Sequence, residues 1–144
     1  MENIRGFVGS TLLVEDSAVE LDLAMRAFGR RKLFNPLQVA RNADEVMALM
    51  REWENGEPVP ALILLDVHLP GVGGLELLRR LKSHKEFKAI PVIMLTSSGK
   101  EQDIHEAYHL GANSYIVKPV DFGRFMELAA QLDAYWCRLN TPPK

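Results

Sequence analysis

Short apolar runs alternate with longer amphipathic stretches along the chain, the pattern of repeated strand and helix units around a mostly parallel sheet. The runs Thr11 to Val14, Leu37 to Ala40, Ala61 to Leu65, Pro91 to Leu95 and Ser114 to Val117 are the predicted strands. The third and fourth are apolar at nearly every position, as expected of central strands covered on both faces. Leu21, Ala24 and Phe28 form one helical stripe, and Leu75, Leu78 and Leu81 another; this spacing gives a helix one face to bury. Helix starts carry capping chemistry at Ser17 with Glu20, at Asn42 with Glu45, and at Asp121 ahead of a final helix from about Phe122 to near Leu139. Ile104, Ala107 and Tyr108 followed by Gly111 predict a short fourth helix stopped by glycine. The stretch Glu54 to Pro60, with Gly56, Pro58 and Pro60, reads as an exposed loop.

At 144 residues the chain has room for one substantial core. The expected organisation is a tail over 1–9, a folded domain over 10–140 and a second tail over 141–144. Hydrophobic residues at 47% and charged residues at 25% are ordinary globular values, which removes disordered and coiled-coil readings. A formal net charge of −2 supplies no general attraction to nucleic acid or to an anionic membrane, so neither is expected as a partner. No apolar run approaches the roughly 18 residues of a membrane span, and Gly6, Gly9 and Ser10 interrupt any signal-peptide core. Cys137 is the single cysteine and cannot form an internal disulfide, which suits a reducing, cytoplasmic setting.

Chemistry concentrates at the carboxyl ends of the predicted strands. Glu15 and Asp16 follow the first strand and Asp66 the third, Thr96 ends the fourth, and Lys118 follows the fifth. In a sheet of order 2-1-3-4-5 the topological switch point falls between strands one and three, so the three acids converge there. Three ionised carboxylates in one pocket repel unless a cation joins them. Mg2+ is the natural partner, because it prefers oxygen ligands and is commonly held by one or two carboxylates plus phosphate oxygens. Lys118 adds a fixed positive charge and Thr96 a hydroxyl, which describes a phosphoryl site with Asp66 as the attacking nucleophile.

The blocks Leu13-Val14-Glu15-Asp16-Ser17, Leu64-Leu65-Asp66-Val67-His68-Leu69-Pro70-Gly71, Leu95-Thr96-Ser97-Ser98 and Tyr115-Ile116-Val117-Lys118-Pro119 together resemble the receiver domains of two-component response regulators. The resemblance implies a flavodoxin-like (βα)5 sandwich of three layers and a phosphoryl group accepted on Asp66 from a sensor histidine kinase. It further implies Mg2+ held by Glu15, Asp16, Asp66 and the backbone carbonyl of His68, Lys118 bridging to the phosphoryl oxygen, and Thr96 and Tyr115 as the switch pair. Such a domain is not an enzyme in its own right; it assists only its own phosphorylation and dephosphorylation. The chain ends soon after the fifth helix, so an output is expected through a partner or through self-association. The long last helix and the lengthened loop around Glu54 to Pro60 are similar to single-domain regulators partnered with bacterial phytochrome kinases.

Taken singly, each of these residues has an ordinary reading: Asp66 as a helix cap, Glu15 and Asp16 as a favourable helix start, Thr96 and Lys118 as surface positions, Tyr115 as packing. His105 and His109 share a helix face without a third ligand, so zinc is not expected. Phe122, Phe125, Leu128, Leu132, Tyr135 and Trp136 exceed one buried stripe, and Phe122, Tyr135 and Trp136 are expected at a homodimer interface through the fourth and fifth helices. Two rivals remain: a haloacid-dehalogenase-type phosphatase, which would need an acid two positions beyond Asp66 where His68 stands, and a pseudo-receiver scaffold that is never phosphorylated. A Rossmann or P-loop nucleotide site fails for want of a Gly-rich loop after strand one.

Overall fold

The computed structural model describes residues 9–34 and 36–142. The expected tails therefore lie largely outside it. Five parallel strands, β1 (Thr11–Val14), β2 (Leu37–Ala40), β3 (Leu62–Leu65), β4 (Val92–Thr96) and β5 (Ser114–Val117), form one sheet in the order β2-β1-β3-β4-β5. Helices α1 (Ala18–Gly29), α2 (Ala43–Glu54), α3 (Gly74–Ser83), α4 (Glu101–His109) and α5 (Phe122–Leu132) connect and follow them. This is the flavodoxin-like sandwich expected from the sequence.

Strand periodicity divides the apolar residues between two cores. Leu12, Val14, Ile63, Leu65 and Met94 face α2, α3 and α4, while Leu13, Leu64, Ile93 and Leu95 face α1 and α5. Covered on both sides, β1, β3 and β4 are buried throughout, whereas the edge strand β5 leaves Val117 46% exposed. The three caps form as read: Ser17 Oγ accepts from Glu20 N, Asn42 Oδ1 from Glu45 N and Asp121 Oδ2 from Arg124 N. The reciprocal half of the capping box departs from its usual form. Glu45 reaches Arg41 N rather than the cap residue, and Glu20 turns away to Lys118.

The final helix reaches Leu139 but changes character on the way, since Asp133–Leu139 is wound as a π-helix. Its first residue, Asp133, is buried and bonded through both carboxylate oxygens: Oδ1 accepts from Phe34 N at 2.8 Å and Oδ2 from Arg138 Nε at 3.2 Å. The bond from Phe34 holds the turn after α1, where Lys32 and Phe34 adopt φ of 54° and 55°, a conformation non-glycine residues seldom take. Full burial of the Phe34 ring, edge-on to Phe28 at 4.7 Å, offsets the strain. Within α4, Ala107 is buried but Tyr108 is half exposed, and Gly111 at φ +104° stops the helix.

One glycine fixes how closely α3 approaches the sheet. A Cβ on Gly74 would sit 1.9 Å from the Asp66 carbonyl oxygen, a rigid backbone atom. Gly74→Ala is therefore expected to lower unfolding free energy in urea by about 3 kcal/mol. Gly29, with open space around it at the end of α1, provides the contrast: Gly29→Ala should leave stability unchanged or raise it by about 0.5 kcal/mol.

Candidate functional site

Parallel register carries the site residues off adjacent strand ends. Val14 pairs with Leu65, so Glu15 and Asp66, one residue further along, leave the sheet side by side. Glu15 N donates to Ala40 O and Asp66 N to Val14 O, extending the ladder by one step on each side of β1. Glu15 is 2% and Asp66 5% exposed, and Asp16 is half-buried. One oxygen from each lies within 4.8 Å of the others, a hard-oxygen set of the kind a divalent cation takes.

Lys118 is the counter-charge. Its Nζ donates to Glu15 Oε1 at 2.6 Å and to Glu20 Oε1, and stands 3.9 Å from Asp66 Oδ2. Burial alone would lower the lysine's pKa, but the hydrogen bonds to Glu15 and Glu20 and the charges of Glu15 and Asp66 raise it, so the ammonium stays charged. Glu15 moves upward as well. Burial and the neighbouring Asp66 charge outweigh the lowering supplied by Lys118 and by Ser17 N, which donates to Oε2 at 3.1 Å. On Asp66 the Oδ1 oxygen accepts from His68 N at 3.2 Å, while the His68 side chain is exposed.

Thr96, the fully buried last residue of β4, accepts a hydrogen bond on Oγ1 from Ser98 N at 3.3 Å and is tied to Lys118 by Lys118 N donating to Thr96 O. Tyr115 donates its hydroxyl to Ser98 O at 2.9 Å, and Ser98 Oγ donates to Asp103 Oδ2 at 2.5 Å. Thr96, Ser98, Tyr115 and Asp103 thus make one polar chain from the end of β4 to α4. Burial pushes the Tyr115 hydroxyl up, and the charges of Asp103 and Asp66 add to it against the bond to Ser98.

The structure brings Glu15, Asp16, Asp66, Thr96 and Lys118 to one end of the sheet, with Tyr115 behind them. Phe122 is half-buried and lines a cleft of about 240 Å³ with Glu20, Leu23, Ser97 and Lys118. Tyr135 and Trp136 lie on the π-helical segment, ring centroids 5.0 Å apart and nearly perpendicular. His105 and His109 are exposed on α4, and the Cys137 thiol is buried, with its pKa pushed up to about 12 chiefly by that burial and then by Asp133. Three contributors escaped sequence reasoning: Glu20, Ser98 and Arg41, whose guanidinium donates to the Asp16 carbonyl at 2.9 Å. No local signal marks them, because their partners lie 98, 17 and 25 positions away.

Comparison with known proteins agrees with this geometry. The chain is 35% identical to the probable methanogenesis regulatory protein FilR2 of Methanothrix harundinacea, over 92% of this chain and 86% of that protein. It is 33% identical to the response regulator Rcp1 of Synechocystis, over 92% and 91% respectively. The crystal structure of the Mn2+-bound form of Rcp1 superposes with a TM-score of 0.84 at 31% identity, covering 95% of this chain and all of that one. The phosphorylated cyanobacterial phytochrome response regulator RcpA gives 0.85 at 32% identity, covering 94% and 99%. Residues 11–130 match the family model of the response regulator receiver domain, with the acid cluster, Thr96 and Lys118 all inside the match, and the chain belongs to that family.

Proposed function

We propose that this receiver domain is a phosphorylation-dependent switch in which Asp66 accepts a phosphoryl group from the phosphohistidine of a sensor kinase. The observation that carries the reading is the placement of Asp66, buried beside two further carboxylates and 3.9 Å from a charged lysine. A carboxylate oxygen of Asp66 attacks phosphorus of a phosphohistidine whose other ring nitrogen carries a proton, the P–N bond breaks, and the imidazole leaves neutral with the electron pair. The Lys118 ammonium compensates the added negative charge, and the Thr96 hydroxyl is free to donate to a phosphoryl oxygen. Glu15, Asp16, Asp66 and the His68 carbonyl would hold Mg2+, which supplies positive charge to the oxygens of the transferring group. The Mn2+ in the related Rcp1 structure supports a divalent-cation site.

The haloacid-dehalogenase alternative lacks its second acid, because His68 occupies that position with an exposed side chain. The scaffold alternative gives no reason for a buried acid cluster beside a lysine. As partner we infer a sensor histidine kinase of phytochrome type, on the strength of relatives such as RcpA, and a cytoplasmic setting. Among the described residues no helix is long and apolar enough to cross a membrane. We further propose a homodimer through α4 and α5. Tyr108 on α4, Val117 on the edge strand and Tyr135 beyond α5 are each close to half exposed, and Phe122 and Trp136 are half-buried beside them in sequence.

Incubation with acetyl phosphate and Mg2+ should give a retarded band on a Phos-tag gel, absent in Asp66→Ala; no band, or one that survives the substitution, removes the switch. Mg2+ at ten times its dissociation constant should stabilise the protein by about 1.4 kcal/mol and raise Tm by about 4 °C. At a fixed Mg2+ concentration that rise should grow as pH is raised through the range in which Glu15, which keeps its proton to higher pH than a free glutamate, becomes ionised. Asp16→Asn should abolish it. Sedimentation velocity is expected to show a dimer that Tyr135→Glu with Trp136→Glu converts to monomer; a monomeric parent protein at high concentration would exclude this interface.

A further inference from the structure

Glu20 is a residue of the site that the receiver chemistry leaves without a role, and it touches Lys118 directly. It belongs to the first turn of α1, where its backbone N–H is taken by Ser17 Oγ at 3.2 Å. Its carboxylate leaves the helix face and takes a hydrogen bond from Lys118 Nζ. The ammonium has three N–H donors. Glu15 receives one and Glu20 another, while Asp66 Oδ2 at 3.9 Å is outside hydrogen-bond range. The lysine needed at the phosphoryl group is thus held by two other acids, on the α1 side of the cleft. The two holds differ in kind. The Glu15 side chain is 3% exposed and belongs to the acid cluster, whereas the Glu20 side chain is 38% exposed and lines the cleft open to solvent.

We propose that Glu20 is a positioning residue that restrains Lys118 in the unphosphorylated state and must release it when a phosphoryl group forms on Asp66. The inference rests on the phosphoryl-switch reading above and deepens it. A tetrahedral oxyanion on Asp66 competes with the Glu20 carboxylate for the same ammonium. The competition lowers the occupancy of the phosphorylated state at a given donor concentration. Release of this partly exposed carboxylate to water costs little, so its restraint is reversible, while the bond to buried Glu15 can persist and leave the ammonium's other N–H donors for the phosphoryl oxygens.

Trifluoroberyllate with Mg2+, which occupies the phosphoryl position on a carboxylate, provides an equilibrium test. Affinities are taken from the rise of Tm over each protein's own ligand-free value, so a change in intrinsic stability cancels. Glu20→Gln should bind trifluoroberyllate about threefold to fivefold more tightly than the parent protein, the upper part of the range expected for losing one partly exposed ion pair that the ligand must break. In a Lys118→Ala background the same substitution should change affinity by less than about twofold, because the group being restrained is gone. Equal or weaker binding by Glu20→Gln overturns the proposal. An equal gain with and without Lys118 overturns it too, since the effect would then be charge repulsion alone. A parent protein whose Tm does not respond to Mg2+ and trifluoroberyllate defeats the switch reading itself, an outcome distinct from a responsive parent with an unresponsive Glu20 effect.

Discussion

The ammonium of Lys118 is what allows Glu15, Asp16, Asp66 and Glu20 to occupy one end of the sheet. Two unit charges about 4 Å apart interact by about 4 kcal/mol at the effective dielectric of a protein surface, so one cation among four acids neutralises only part of the repulsion. Burial first, and the Asp66 charge after it, make Glu15 hold its proton more tightly than a free glutamate despite a hydrogen bond to the lysine. A site left short of positive charge is prepared for a cation, and a lysine with acids on two sides can exchange one of them for another anion. In the proposed switch a divalent cation would make up that deficit, and the lysine would exchange one acid for the phosphoryl group.

Backbone register does the positioning that side-chain chemistry exploits. Glu15, Asp66 and Lys118 are each the first residue past a parallel strand, and parallel pairing places such residues in a row across the sheet. The order β2-β1-β3-β4-β5 then makes β1 and β3 neighbours, so acids fifty positions apart in sequence need no flexible loop to meet. Gly74 completes the arrangement by letting α3 approach the Asp66 carbonyl, where any side chain would push the Asp66 backbone out of line.

Strands, caps and the acid cluster were legible in the sequence because each is written locally: an apolar run, a hydroxyl or carboxylate before a helix, an acid at a strand's end. Interactions between distant segments were not. Glu20 reads as the fourth residue of a capping box, and only the fold shows that its carboxylate serves Lys118 instead. Asp133 reads as a polar interruption in an apolar helix, yet it is buried and holds the backbone of Phe34, 99 positions away. The π-helical winding after Leu132 has no residue signature either. Tyr115 could be placed on its strand by pattern, but its hydroxyl's partner, a backbone carbonyl, leaves no trace in residue types.

The two ends of the sheet differ in how firmly they are held, and that difference favours transmission in one direction. At the amino ends of the strands, Asp133 ties the turn after α1 to the last helix through a buried charged hydrogen bond, and Phe28, Phe34 and Phe125 pack around it. Bonds of that kind are costly to break because Oδ1 of the buried acid would be left without its donor. At the carboxyl ends, Thr96 Oγ1 is held only by Ser98 N at 3.3 Å, and Ser98 in turn joins Tyr115 to Asp103. In the proposed switch, turning the Thr96 hydroxyl toward a phosphoryl oxygen weakens the bond from Ser98 N and disturbs both partners of Ser98 together. Asp103 lies in the first turn of α4 and Tyr115 on the edge strand β5. A charge change at Asp66 therefore has a short polar route to the α4–β5 surface, while the aromatic packing at the opposite end gives the sheet a fixed frame against which that surface can move.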